Sequence, residues 1–226
     1  MKYAVFSSSG KVSNDKGSRS CIIPISVGQP YHESEDLTAC VELYNSTFNN
    51  CMIIVCDTLQ RYTYKINHPG ISEAAAYEQT ARAGEDWIQR NQKYLEQLEV
   101  PFQITRWDQW LSHARYLPLR KQVDELYAYD KSFTEAVNST AEKFYNRTVR
   151  RESLHVEKDF FMNHTLNYLL EECAVLPLWL EIHSKYIVYP KDYGKAILIT
   201  LKKIIKPVSQ DLLIPLKIKI KSSNRF

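Results

Sequence analysis

The segment Cys21-Ile22-Ile23-Pro24-Ile25-Ser26 is a short apolar run with no polar alternation. Such a run reads as a strand buried on both faces. Val27-Gly28-Gln29-Pro30 then breaks it with turn residues. From Glu35 to Phe48, apolar side chains fall at Leu37, Cys40, Val41, Tyr44 and Phe48, which paints one face of a helix. Cys51-Met52-Ile53-Ile54-Val55-Cys56 is a second continuous apolar run, ending in Asp57-Thr58. A strand, crossover helix and strand in this style predict a parallel sheet covered on both sides.

The pattern continues in kind. Asn67-His68-Pro69-Gly70 is a turn, and Ser72 is placed to cap a long helix over Ala74 to Leu98. Pro101 to Thr105 reads as a third short strand. Trp107 to Asp130 is helical with a break expected at Pro118, followed by helices over Lys131 to Arg150 and Glu152 to Leu176. Tyr186-Ile187-Val188-Tyr189 is a strand stopped by Pro190. Asp192 is placed to cap a helix running to Ile205. Leu216 to Lys221 alternates strictly between apolar residues and lysine, the mark of a strand with one wet face. Residues 21–226 therefore read as one α/β domain with a parallel-type sheet and extra helices. Residues 1–20, rich in Ser and Lys, read as a flexible N-terminal segment that is not a signal peptide.

Composition sharpens this. The 226 residues are 44% hydrophobic and 24% charged, which excludes a disordered chain. No stretch is apolar enough to span a membrane. Five scattered cysteines without a CxxC pair read as free thiols in a reducing cytoplasm, with no metal site at these spacings. The net charge is only +3, which argues against a surface coated in phosphate-binding charge. The positive excess is local: seven basic residues (Lys202, Lys203, Lys206, Lys217, Lys219, Lys221, Arg225) and one acid, Asp211, lie between Leu201 and Phe226. Such a tail reads either as an edge strand guarded by lysine or as a phosphate-binding face.

In open parallel sheets, ligands bind beyond the carboxyl ends of the strands. Ser26-Val27-Gly28, Asp57-Thr58 and Tyr189-Pro190 are the chemically loaded ends. Ser26 resembles half of a nucleophile elbow, with Gly28 after it and Pro24 where the first Gly would stand; a hydroxyl that caps the turn is the plainer reading. A hydrolase would need a His base. None of His32, His68, His113, His155, His164 and His183 has a telling context. No GxxxxGK[ST] or GxGxxG motif supports nucleotide binding. Tyr168 and Glu172, at i and i+4 of one helix, share a face where a carboxylate beside a phenol can hold an ammonium or take its proton.

In order and spacing, these segments resemble the tRNA-dependent cyclodipeptide synthases. Ile25-Ser26-Val27-Gly28-Gln29-Pro30-Tyr31 looks like that family's nucleophile segment, and Leu166 to Glu172 like its Tyr-x-x-x-Glu helix. Tyr186 to Pro190 falls at about the expected distance beyond. Gln29 and Pro190 are similar to the subgroup in which Pro follows the last catalytic Tyr. The resemblance implies a single Rossmann-like domain akin to the catalytic domain of class I tyrosyl- and tryptophanyl-tRNA synthetases. It implies a cytoplasmic, monomeric aminoacyltransferase that joins two aminoacyl-tRNAs into a 2,5-diketopiperazine without ATP, other cofactor or membrane.

By that resemblance, Ser26 would carry the aminoacyl ester. Tyr168 and Glu172 would hold and deprotonate its amino group, and Tyr189 would position the dipeptidyl intermediate and relay a proton. Gly28 and Gln29 would belong to the substrate site. Ile22, Pro24, Ile54 and Cys56, with Val175 and Ile187 opposite, would line the first pocket, which implies an uncharged small or medium residue. The family's basic long helix is thin here, with Arg82, Arg90 and Lys93 beside Glu78, Glu85, Asp86 and Glu96. Candidates for gripping tRNA are therefore Arg90 and Lys93; Arg115, Arg120 and Lys121; Arg147, Arg150 and Arg151; and the tail lysines led by Lys202 and Lys203. Two other readings stand beside this one: a Ser-dependent acyltransferase or hydrolase, and a non-catalytic tRNA-binding relative of class I synthetases. No HIGH-like or KMSKS-like signature points to a true synthetase.

Overall fold

The computed structural model describes residues 2–7, 19–152, 156–209 and 213–222, with no side-chain account of 151 and 152. The described strands are β1 (Lys2–Phe6), β2 (Ser20–Ile25), β3 (Asn50–Val55), β4 (Phe102–Arg106), β5 (Tyr186–Tyr189) and β6 (Ile214–Ser222). The helices are α1 (Ser34–Thr47), α2 (Arg61–Asn67), α3 (Glu73–Leu95), α4 (Trp107–Leu111), α5 (Tyr116–Tyr129), α6 (Lys131–Glu152), α7 (Lys158–Val175) and α8 (Lys195–Thr200). The strands form one sheet in the order β1-β6-β5-β2-β3-β4. β2 pairs in parallel with both β3 and β5, β3 with β4, and β5 with β6; only β1 runs antiparallel, against β6.

The continuous apolar strands are those with helices on both sides, because every side chain there meets a core. Cys21, Ile23 and Ile25 of β2, with Cys51, Ile53 and Val55 of β3, pack with Leu37, Val41 and Tyr44 of α1 and Trp87 of α3. The intervening Ile22, Ile54, Cys56 and Ile187 face the other core, with Val123 of α5, Phe133 of α6 and Leu170 and Cys173 of α7. The α/β class and the mostly parallel sheet follow the sequence pattern.

Four local expectations change. Lys2–Phe6, inside the segment expected to lack structure, forms β1 and edges the sheet, with Phe6 edge-on to Phe48 at 6.0 Å and Lys2 Nζ 2.6 Å from Asp36. Five residues beside a Ser/Lys-rich stretch carry too short an alternation to be read. Residues 8–18, together with His155, Asp211 and Arg225, lie outside the described residues. The lysine-rich β6 is not an edge strand, since β1 covers it; its lysines alternate because Leu216 and Ile218 face the core. Pro118 lies in the first turn of α5, where its missing N–H costs nothing, so the break falls earlier, between α4 and α5. Gly194, not Asp192, caps α8, and Asp192 accepts from Lys217 Nζ at 2.5 Å. Ser72 caps α3 as expected, its Oγ accepting the Ala75 N–H at 3.2 Å. Helix α2 was not legible in the sequence. No helix among the described residues is long and apolar enough to cross a membrane.

Candidate active site

Adjacent parallel strands β2 and β5 end side by side, and their ends carry Ser26 and Tyr189. The chain turns after Ser26 because Gly28 adopts φ +82, which a Cβ would strain. The Gln29 N–H closes the turn on the Ser26 carbonyl at 3.2 Å. That fold-back aims Ser26 Oγ at the Tyr189 hydroxyl, 2.8 Å away. Tyr31, after the turn, places its own hydroxyl 3.0 Å from Tyr189. Behind Tyr189, the Tyr193 hydroxyl donates to the Ile187 carbonyl at 2.7 Å and braces the strand end. Burial holds the Tyr189 and Tyr31 phenols above their usual range, so both stay protonated near neutral pH.

Helix α7 crosses this end of the sheet. Tyr168 and Glu172 share its inner face, as their spacing requires. The Tyr168 hydroxyl accepts from Gln60 Nε2 at 3.3 Å. Glu172 is partly buried and has no side-chain hydrogen bond among the described residues; burial pushes its carboxyl up to about 7. Its charge reaches the phenols of Tyr31, Tyr168 and Tyr189 and the Cys56 thiol. A carboxylate that titrates near neutrality, among protonated hydroxyls, is equipped to accept a proton from an amine.

The six expected pocket residues fall on one side of the sheet. Ile22, Ile54, Cys56, Val175 and Ile187 belong to the core beneath α7, and Pro24 shares their face by its register opposite Ile54. Gln29 has an exposed side chain, and its backbone N–H closes the turn beside Ser26.

The basic candidates divide by partner. Arg90 is taken up by Glu33 at 2.9 Å, Arg120 by Asp124 at 2.9 Å, Arg115 by Glu181 at 3.1 Å and Lys203 by Asp130. Lys93 lies over the Tyr94 ring at 4.9 Å. Lys121 and Lys202 are exposed. On α6, Lys143, Arg147 and Arg150 have no ion-pair partner among the described residues and line one groove with Asn146. The charge of Arg147 offsets a small part of the burial that raises the Tyr31 phenol, and Lys191 Nζ stands 5.3 Å from the Tyr31 ring centre. The side chain of Arg151 lies outside the described residues.

Sequence reasoning missed the polar core beside the site. Glu171 is 2% exposed and receives Arg61 through both guanidinium nitrogens, Nη1 at 2.8 Å. It also accepts from the Tyr62 hydroxyl and Trp107 Nε1, each at 2.9 Å. Asp57, fully buried, takes Arg106 Nε at 2.7 Å and the Thr58 N–H at 2.7 Å. No spacing rule links residues so far apart in the chain; the only hint was polar residues at a strand end.

Ser26 and Tyr189 thus meet at adjacent strand ends of a parallel α/β sheet, within reach of the charge of the unpaired Glu172 carboxyl. The cyclodipeptide synthase family model matches residues 6–189, and the chain belongs to that family of aminoacyltransferases. It is similar to a cyclodipeptide synthase from Fluoribacter dumoffii, with 32% identity, a TM-score of 0.92 and coverage of 99% of this chain and 100% of that one. The fold is shared with a synthase from Candidatus Glomeribacter gigasporarum solved with Phe-tRNAPhe, at 16% identity and TM-score 0.76, covering 95% and 92%. It is shared too with a Mycobacterium tuberculosis protein described as relating cyclodipeptide synthetases to type I tRNA synthetases, at 12% identity and TM-score 0.60, covering 92% and 87%. No curated protein matches the chain.

Proposed function

We propose that this chain joins two aminoacyl-tRNAs into a cyclic dipeptide through covalent intermediates on Ser26. The observation that carries the reading is the 2.8 Å contact of Ser26 Oγ with Tyr189, on the sheet face that Glu172 overlooks. In the first step, Ser26 Oγ bonds to the ester carbonyl carbon, and the bond from that carbon to the terminal ribose oxygen breaks. The hydroxyl proton passes through the Tyr189 phenol to the leaving ribose oxygen. The substrate is already an activated ester, so no ATP is needed.

Tyr168 and Glu172 then hold the α-ammonium of aminoacyl-Ser26. Glu172 takes a proton from it, as a carboxylate with a pKa near 7 can do at neutral pH. The freed amine bonds to the ester carbon of the second aminoacyl-tRNA and displaces its ribose oxygen, which leaves protonated. In the last step the amine of the dipeptidyl ester attacks the Ser26 ester carbon. The carbon–Oγ bond breaks, and the proton released by the amine passes through the Tyr189 phenol to Oγ. The apolar lining at Ile22, Pro24, Ile54, Cys56, Val175 and Ile187 supports an uncharged first amino acid of small or medium size. Gln29 and Pro190 fit the subgroup with Pro after the catalytic Tyr. The five buried free cysteines suit a reducing cytoplasm, and the enzyme acts as a monomer.

The α6 groove of Lys143, Asn146, Arg147 and Arg150 is the best supported tRNA grip, because three cations with no acidic partner among the described residues line it together. Reversing those charges is expected to flatten the dependence of tRNA binding on salt.

Expression in a bacterium, with mass spectrometry of the medium, tests the function. Diketopiperazines that vanish in Ser26→Ala support it. Their persistence overturns the role of Ser26, and a required charged first residue overturns the pocket.

A further inference from the structure

His32, which has no telling sequence context, meets Ser26 in the fold. Its ring is 1% exposed and packs edge-on to Tyr31 and Tyr189, at 4.7 and 5.7 Å between ring centres. Its Nδ1 lies 3.0 Å from the Ser26 backbone nitrogen. Nδ1 also lies 3.4 Å from the Ser26 carbonyl oxygen, but that oxygen already accepts the Gln29 N–H, and the shorter contact is to an amide N–H that only donates; this assigns Nδ1 as the acceptor and the ring proton to Nε2. Burial keeps the ring neutral by lowering its pKa to about 4.

Nε2 is buried with no hydrogen-bond partner. An unpaired buried N–H is unfavourable, and a phenyl ring would fill the same place without that penalty. Packing alone therefore does not explain a histidine here. The rest of the residue is also anchored. Its carbonyl accepts from Trp87 Nε1, on α3, at 3.0 Å, and its N–H donates to the Gln29 carbonyl at 2.9 Å. The Ser26–His32 turn is thereby closed on itself and tied to a fully buried side chain of a long helix.

We propose that His32 is a positioning residue for acyl transfer: its Nδ1 clamps the Ser26 amide and so fixes the backbone that aims Oγ at Tyr189. The inference rests on the reading of Ser26 as the residue that takes the aminoacyl group. Two consequences follow. The nucleophile's own N–H, which other acyl-transfer sites turn toward the developing oxyanion, is already occupied here. And an imidazole whose lone pair is engaged by an amide is not the base for Oγ, which leaves the hydroxyl to the phenols.

The test compares His32→Phe, which keeps a ring and removes the acceptor, with His32→Asn, whose side-chain oxygen can stand in for Nδ1. Hydrogen exchange at the Ser26 amide and thermal stability are measured on the free protein. The rate of aminoacyl-enzyme formation is measured in a single turnover with aminoacyl-tRNA. His32→Phe is expected to exchange the Ser26 amide faster and to acylate roughly 10- to 100-fold more slowly at unchanged tRNA affinity. His32→Asn is expected to recover part of both. The nitrogen-15 shift of wild-type Nδ1 should be that of an unprotonated acceptor. Acylation of His32→Phe at the wild-type rate would overturn the inference. So would equal losses of rate and stability in both variants, which would make ring packing the whole role. Ser26→Ala serves as the separate control: cyclic product from it sinks the reading of Ser26, whereas the amide-exchange comparison needs no substrate and judges the clamp alone.

Discussion

Glu171 receives four hydrogen bonds from Arg61, Tyr62 and Trp107, while the next residue, Glu172, receives none from any described side chain. Both are glutamates on one helix, α7, and both are withdrawn from solvent. A turn of about 100° per residue sends Glu171 toward α2 and α4 and Glu172 toward the ends of β2 and β5. The first site supplies a guanidinium and two further donors, so the carboxyl is tied in place there as a strut. The second gives it burial without a cation or a hydrogen-bond donor among the described side chains, so charge is disfavoured and the carboxyl titrates near 7. Burial makes a carboxylate costly, and its partners decide whether it becomes structure or chemistry.

Glu172→Gln is the strongest way to sharpen this contrast. Product formation should fall by about 10²- to 10⁴-fold. Stability should move the other way. The folded-state pKa lies above the ordinary 4.5, so the wild type loses stability as pH rises from about 4.5 through 7, by up to about 3 kcal/mol. The Gln variant is expected to show no such loss. Denaturant melts at pH 4.5 and 8 would expose the difference; parallel curves for the two proteins would contradict it.

Glu171→Gln should break the other half of the comparison. Leaving the Arg61 guanidinium in the core with only the exposed Glu73, 3.1 Å from its Nε, as an ionic partner is expected to cost up to about 3–5 kcal/mol, whereas replacing Arg61 with Met and Glu171 with Leu together should recover much of it. Urea unfolding of the wild type and the two variants checks this, and a mild effect of Glu171→Gln would mean the strut carries little.

Gly84→Ala probes the second paired carboxylate. A Cβ there would lie 2.3 Å from Asp57 Oδ2, so α3 must move or the Asp57–Arg106 pair must shift. A loss of about 1–3 kcal/mol is expected, read as a lower melting temperature. The smallest effect belongs to Gln60→Ala, which removes one hydrogen bond from Tyr168. About a fivefold loss of product at unchanged melting temperature is expected, in line with about 1 kcal/mol for such a bond. A fall in stability instead would move Gln60 to the structural group.

Much of this was legible before the fold was known. The apolar runs at Cys21–Ser26 and Cys51–Cys56 are strands because parallel strands bury both faces. Gly28 marks a turn because only glycine takes its φ cheaply, and the i, i+4 spacing puts Tyr168 and Glu172 on one face. His32, Gln60 and Tyr31 were not legible as site residues. Each acts through a single contact that has no period, and a lone His, Gln or Tyr after a turn is common in any surface loop. Lys2–Phe6 escaped for another reason: an edge strand packs on one side only and leaves a faint pattern.

The sequence by itself determined the five strands after β1, which helix face carries the phenol and carboxylate, and that the positive charge is gathered near the end of the chain. Those are local properties, set by backbone sterics and periodicity within a few turns. Only the tertiary structure decided that Tyr189 meets Ser26 across 163 residues of chain, that Arg61 falls to Glu171 and not Glu172, and which cations remain unspent. Charge and hydrogen bonding act over a few ångströms in space. Two residues can be matched for that purpose only when the sheet order and helix packing have brought them together.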